Sequence, residues 1–204
     1  RRYFDPEADA LPADLDTIGE AYVGAVAEAC RSWLKEIEED EPIGVLFSGG
    51  IDSGALFLLL RHLLLERGEA PNRLKAFTLA TEQAPERTQA VEFLREVGME
   101  MFLEVVDVDR DAIDFREAIR VMEDYKPLDV QAGTMTLALC RGIRERYPDW
   151  THLVDGDGGD ENLKDYPIEE NPELTIRSVL GNQMLYHEGW GVDAVKHSLT
   201  YSGG

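Results

Sequence analysis

The sequence predicts an α/β fold: a three-layer sandwich with a parallel-type sheet flanked by helices, and a helical C-terminal part. Three observations carry this. Between Ile43 and Glu161 short apolar runs alternate with helical stretches, and such alternation implies parallel strands joined by helices that cover both faces. The first run, Ile43-Gly44-Val45-Leu46-Phe47, carries no polar side chain, as expected of a strand buried on both faces. Glycine-rich polar turns follow this run and the later run His152-Leu153-Val154, which puts both at the carboxyl ends of strands, where such sheets bind ligands.

The elements follow in order. Residues 1–14 read as a lead-in linker, with Pro12 in its last part. From Leu15 to Glu39, the residues Ile18, Tyr22, Val26, Ala29, Trp33 and Ile37 recur at spacings of three and four. That is one apolar helical face, ended by Glu38-Glu39-Asp40-Glu41 and Pro42. After the first strand and its turn, an apolar helix runs from Ser53 to about Glu66 and closes at Arg67-Gly68. Leu74 to Ala80 is a second strand. Glu86 to Val97 is an amphipathic helix stopped by Gly98, and Met101 to Val106 is a third strand. Asp111 to Glu123 reads as a helix with Ile113, Phe115, Ile119 and Met122 in the core, and Gln131 to Arg146 as another. His152 to Val154 runs into Asp155-Gly156-Asp157-Gly158-Gly159-Asp160-Glu161, and helical stretches near 172–188 and 192–198 finish the chain. No internal repeat and no low-complexity segment is evident.

Composition narrows the function classes. Asp and Glu total 41 against 20 Lys and Arg, a formal net charge of -21. Such a surface repels nucleic acid, whose non-specific affinity comes from cationic side chains displacing counterions. It also repels a nucleotide at long range, so an anion site here must be local. The longest apolar run, Ala55 to Leu60, is too short to span a bilayer. The only cysteines, Cys30 and Cys140, form no CxxC pair and read as reduced buried thiols of a cytoplasmic protein. The first residues include neither Met nor an apolar signal segment, and the last show no cap, so the expectation is a piece of a longer protein.

The first turn, Ser48-Gly49-Gly50-Ile51-Asp52-Ser53, lies between a buried strand and a helix. Gly49 and Gly50 can take backbone angles closed to other residues and let an anion approach. Their N–H groups, with those of the following helical turn, can form an anion nest, and Ser48 and Ser53 add hydroxyls. Asp52 beside phosphates is repulsive unless a divalent cation such as Mg²⁺ sits between them. The turn is neither GxxxxGK[ST] nor GxGxxG. A tight turn capped by Asp52 or Ser53 is the bland alternative.

The string SGGxDS between strand and helix resembles the signature of the ATP pyrophosphatase, or PP-loop, superfamily. That resemblance implies an adenine nucleotide alpha hydrolase-like fold and cleavage of ATP between its α and β phosphates. The second turn packs four acids into seven residues and does not fit an EF-hand. It resembles the SGEGxDE segment of the asparagine synthetase synthetase domain. Val97-Gly98 and Trp190-Gly191-Val192-Asp193 agree with the same family. The resemblance implies one ATP-binding domain over residues 1–204, with a nucleotide-binding core at 42–165 and a helical, divergent part at 166–204.

Carried over by residue, the resemblance implies that Leu46 and Leu79 contact adenine. Ser48, Gly49, Gly50 and Ser53 would hold the pyrophosphate end, and Asp155 and Gly156 would lie near the ribose and α-phosphate. Asp52 and Asp160 would ligate Mg²⁺, and Asp157 would assist amide formation. Departures are Asp155 where the family has Ser, and Asp157 where it has Glu. The late catalytic Lys has no match, and Lys164 and Lys196 are the available substitutes. The implied activity is an adenylating ligase joining a small-molecule carboxylate to an amine donor. With no glutaminase region in the sequence, glutamine-derived ammonia would come from a glutaminase or amidotransferase chain or a missing segment. Two other readings stay open: a catalytically incomplete ATP-binding regulatory or partner module, and a PP-loop enzyme that modifies sulfur or nucleobases.

Overall fold

A computed structural model describes residues 11–80, 86–109, 113–123 and 127–157. The predicted helices at 172–188 and 192–198 lie outside the described residues. Four strands, β1 (Ile43–Leu46), β2 (Leu74–Ala80), β3 (Leu103–Asp107) and β4 (His152–Val154), form one sheet in the order β3-β2-β1-β4. Every pairing is parallel. The helices are α1 (Leu15–Leu34), α2 (Ile51–Glu66), α3 (Glu86–Glu96), α4 (Phe115–Met122) and α5 (Pro127–Arg146). The α/β three-layer expectation therefore holds for the described residues.

Strand alternation sorts the layers. Ile43, Val45, Phe47, Leu74 and Ala76 join one core with Cys30 and Leu34 of α1, Phe57, Leu60, Leu63 and Leu64 of α2, and Ala90 and Leu94 of α3. On the opposite face Phe77 and Val106 pack with Leu139 and Ile143 of α5, flanked by Leu46, Leu79, Tyr147, Trp150 and Leu153. Phe77 sits edge-on to both Tyr147 and Trp150, at centroid separations of 5.5 and 5.2 Å. The chain lays down β1, β2 and β3 in one direction, then returns to place β4 on the other side of β1. The carboxyl ends of β1 and β4 thus flank the point where the strand order reverses, the crevice in which open α/β sheets bind ligands.

Several element boundaries and core positions differ from expectation. Helix α1 stops at Leu34, not Glu39. Acids at a helix C-terminus oppose its dipole, and stopping before Glu36, Glu38 and Glu39 lets Ile37 turn into the core. Its buried face is Ala27, Cys30 and Leu34, whereas Ile18 and Tyr22 are exposed and so is Ala29. Val26 and Trp33 of the expected face are half-buried against the same core. In α4 the buried residue is Ala118, while Phe115 and Ile119 are exposed. Met122 instead lies against Gly133 of α5, filling the space a side chain there would need. Helix α5 begins at Pro127, not Gln131, because proline is tolerated in a first turn where its missing N–H costs nothing. Helix α2 begins at Ile51, so Asp52 and Ser53 both belong to its first turn.

Buried ionic groups brace the edge of the sheet away from the two turns. Glu69 pairs with Arg67 and, at 3.4 Å, with Arg73. Arg73 Nη1 also donates to the Glu38 carbonyl at 2.5 Å, tying the segment after α1 to the start of β2.

Gly44 is the tightest point of the central strand. A Cβ there would stand 2.5 Å from Leu153 Cδ2 and 2.8 Å from the Phe77 ring. Gly44→Val is therefore expected to cost about 2–3 kcal/mol by overpacking, read as a lower urea midpoint with unchanged slope. An unchanged midpoint would contradict this packing.

Candidate functional site

The first turn is organised by its own hydrogen bonds. Phe47 N–H donates to the Phe77 carbonyl at 2.8 Å, extending the β1–β2 ladder up to the turn. The Gly50 N–H then donates to Ser48 Oγ at 3.2 Å, and Ser53 Oγ donates to the Gly50 carbonyl at 3.3 Å. Ser48 and Ser53 hydroxyls lie 3.2 Å apart. A hydroxyl has one proton, so with Ser53 donating to Gly50, Ser48 is the donor in that pair. The result is a closed ring, Gly50 N–H to Ser48 to Ser53 to Gly50 C=O. Ser48 is exposed and Ser53 buried, so Ser48 faces solvent with Ser53 behind it.

Helix α2 starts at the same place with no side chain capping its end. Its first turn is the positively polarised end of a 16-residue helix. Gly49 has φ of +83°, and a Cβ on it would meet the Ala90 backbone N at 2.5 Å. Glycine is required there twice, by conformation and by the close approach of α3. Half-buried Asp52 lies in the first turn, where a carboxylate is favoured by the helix dipole.

The second turn comes directly against this helix end. A Cβ on Gly156 would lie 2.9 Å from Ser53 N, 3.0 Å from Asp52 C and 3.2 Å from Asp52 Cβ. Gly156 thus rests on the first turn of α2, and the two glycine-rich turns share one location although about a hundred residues separate them. Asp155 Oδ1 accepts the Asp157 N–H at 3.3 Å, shaping the turn. Leu46 and Leu79, half-buried on neighbouring strands, lie on the α5 face beside this location.

Of the sequence-predicted residues, the structure therefore brings Ser48, Gly49, Gly50, Asp52, Ser53 and Gly156 together, with Asp155 and Asp157 on the same turn. Asp160, Lys164 and Lys196 lie outside the described residues. Sequence reading missed Ala90 and Gln89, which back the first turn from α3. Their signal was weak, because neither a small nor an amide residue on an amphipathic helix announces such a contact. Among the described residues, no group of three or more His, Cys, Asp or Glu side chains is placed to hold a metal ion. No described helix is long and apolar enough to cross a membrane.

Cys140 is half-buried on α5. Burial pushes its thiol above the usual range, and the Asp155 carboxylate adds to this. A raised pKa lowers the thiolate fraction at a given pH, the reverse of what a sulfur-transfer nucleophile needs. Alkylation of Cys140 by iodoacetamide at pH 8, followed by peptide mass spectrometry, should therefore lag behind a free cysteine peptide. The gap should close only as pH passes the raised value. Faster labelling than the peptide would contradict this environment.

Two positive-φ glycines give an internal comparison. Gly68 has φ of +75° with nothing near its Cβ direction, whereas Gly49 meets α3. Alanine at Gly68 should cost about 1 kcal/mol for the backbone alone. At Gly49 overpacking should add about 1–3 kcal/mol, seen in equilibrium denaturation. Equal losses would mean that α3 does not press on the turn.

Comparison with known proteins agrees with this geometry. A model of the asparagine synthase family matches residues 26–191. A probable glutamine-hydrolyzing asparagine synthetase of Acanthamoeba polyphaga mimivirus is 26% identical over 162 residues, covering 78% of this chain and 26% of its own length. The glutamine-hydrolyzing root asparagine synthetase of Pisum sativum is 27% identical, covering 95% of this chain and 36% of its own length. The chain thus spans between about a quarter and a third of the length of these relatives. A solved structure named as a predicted subunit of tRNA methyltransferase from Methanocaldococcus jannaschii aligns at 19% identity and a TM-score of 0.35. It covers 78% of this chain and 74% of that one, and so low a score carries no argument. The family match takes in both glycine-rich turns and the four-stranded sheet, and this chain belongs to the asparagine synthase family.

Proposed function

We propose that the chain is an ATP-dependent adenylating ligase domain that activates a small-molecule carboxylate and passes it to an amine donor. The observation that carries this reading is the packing of Gly156 on the first turn of α2. It joins an uncapped helix N-terminus, two serine hydroxyls and a second acidic turn at the β1–β4 crevice. Family membership supports the same chemistry.

In this reading Leu46 and Leu79 flank adenine. Ser48, Gly49, Gly50 and Ser53 hold the β and γ phosphates, and Asp155 and Gly156 adjoin the ribose and α-phosphate. A substrate carboxylate oxygen attacks the α-phosphorus, the α–β phosphate P–O bond breaks, and pyrophosphate leaves. The amine then displaces AMP and forms the amide, with Asp157, Asp160 and Lys164 as the groups available to steer that step and its proton. Mg²⁺ is commonly held by one or two carboxylates plus phosphate oxygens, so Asp52 and Asp160 are a sufficient protein donor set. When bound, the ion would offset the charge on the departing pyrophosphate. The residues of this chain would contribute mainly positioning and fixed dipoles.

The amine source is proposed to be ammonia, free or delivered by a glutaminase, since the relatives named above are glutamine-hydrolyzing enzymes. The absence of nucleic-acid partners fits the acidic surface, and a cytoplasmic location fits the two free cysteines; both belong to the same reading.

ATP–pyrophosphate exchange with Mg²⁺, assayed across amino acids and small carboxylates, tests it. Exchange should appear with a particular acid and fall at least about a hundredfold in Asp52→Asn, as expected when a group stabilising transition-state charge is lost. Absence of exchange with any acid, alongside normal ATP binding, would replace the ligase with a nucleotide-binding module. ATP cleavage to ADP and phosphate would overturn the adenylation step.

A further inference from the structure

We infer that Gln89 is a positioning residue for the phosphate turn; this rests on the nucleotide reading above. Gln89 lies on α3, forty residues beyond the turn, and its Nε2 donates to the Gly49 carbonyl at 3.3 Å. The same peptide unit is held from its other side, because the Gly50 N–H donates to Ser48 Oγ at 3.2 Å. No peptide bond among the described residues is cis, and in a trans unit C=O and N–H point in opposite directions. Two side chains therefore fix the Gly49–Gly50 peptide, one on its carbonyl and one on its N–H.

That peptide is the one most in need of fixing. Glycines on both sides leave it the greatest rotational freedom in the turn. Rotation would swing a carbonyl, with its partial negative charge, toward the side where a phosphate nest needs N–H groups. Steric contact adds to the latch. The Ala90 backbone lies against Gly49, and the Phe93 ring lies 2.5 Å from where a Cβ on Gly54 would stand. The Phe93 ring also stacks edge-on to Phe47 at 5.6 Å. Helix α3 thus backs the turn through Ala90 and Phe93, and Gln89 supplies the only polar tie between α3 and the Gly49 carbonyl that the described residues show. Gln89 is exposed, so its side chain contributes little to the core and its role can be separated from folding.

The test is Mg·ATP binding by isothermal titration calorimetry on the full chain, wild type, Gln89→Leu, Gln89→Glu and Thr88→Glu, with thermal melting of each. Gln89→Leu should bind roughly fivefold more weakly, the loss left by one ordinary hydrogen bond, while staying fully folded at the assay temperature with only a small drop in melting temperature. Gln89→Glu keeps the shape and removes the donor. Thr88→Glu adds the same charge one residue away, so Gln89→Glu should be weaker than Thr88→Glu. Wild-type binding with no loss in Gln89→Leu would overturn the latch and leave the nucleotide reading standing. Loss of binding that merely follows unfolding at the assay temperature would also overturn it. Failure of the wild type to bind Mg·ATP would overturn the nucleotide reading, and the latch with it.

Discussion

The close approach of Gly156 to the first turn of α2 is the contact on which the rest depends. An added Cβ would lie 2.9 Å from Ser53 N, so only glycine lets the turn after β4 rest on the turn after β1. The approach follows from strand order. After β1, β2 and β3 spread one way, β4 pairs with β1 on its free side, through Ile43–His152, Gly44–Leu153 and Val45–Val154. Gly44 permits that pairing to be tight, since Leu153 and Phe77 fill the space beside it. Two glycines on adjacent strands or turns thus bring together residues that the chain separates widely.

In the nucleotide reading proposed above, electrostatics makes this convergence necessary. A chain of net charge -21 has no long-range attraction to offer a polyphosphate, and salt screens what repulsion there is beyond about 8 Å at physiological ionic strength. Attraction must come from groups in contact. In the proposed reading an uncapped helix end and backbone N–H groups would provide it without a cationic side chain. Several described arginines serve elsewhere: Arg31 bridges α1 to Glu66 of α2, Arg141 bridges α5 to Glu117 of α4, and Arg146 reaches Glu104 of β3.

The turns and the sheet were legible because their signals are local. An uninterrupted apolar run followed by Gly49-Gly50 leaves few alternatives to a buried strand and a tight turn. Helix faces were less legible. In α1 the expected face is only partly right: Val26, Trp33 and Ile37 reach the core, whereas Ile18, Tyr22 and Ala29 are exposed and Ala27, Cys30 and Leu34 complete the buried side. In α4, Phe115 and Ile119 look like core by hydropathy but are exposed; Ala118 is buried instead, and Met122, expected in the core, does pack against Gly133 of α5. The bracing of the turn by Gln89 and Ala90 was invisible because it depends on where α3 lands, which no residue type encodes. The proposed role of Asp160 rests on the resemblance of the second turn to the family, whereas Lys164 stands in for a late family lysine that has no match here.

The central claim is that the two glycine-rich turns form one nucleotide site. It is tested most directly by titrating Mg·ATP into isotopically labelled protein and following backbone amides by NMR. Glycine amides fall in a separate spectral region, which suits Gly49, Gly50 and Gly156. The account predicts that all three shift together along one binding curve. If Gly49 and Gly50 respond while Gly156 stays still, or if the turns saturate at different concentrations, the single shared site is contradicted.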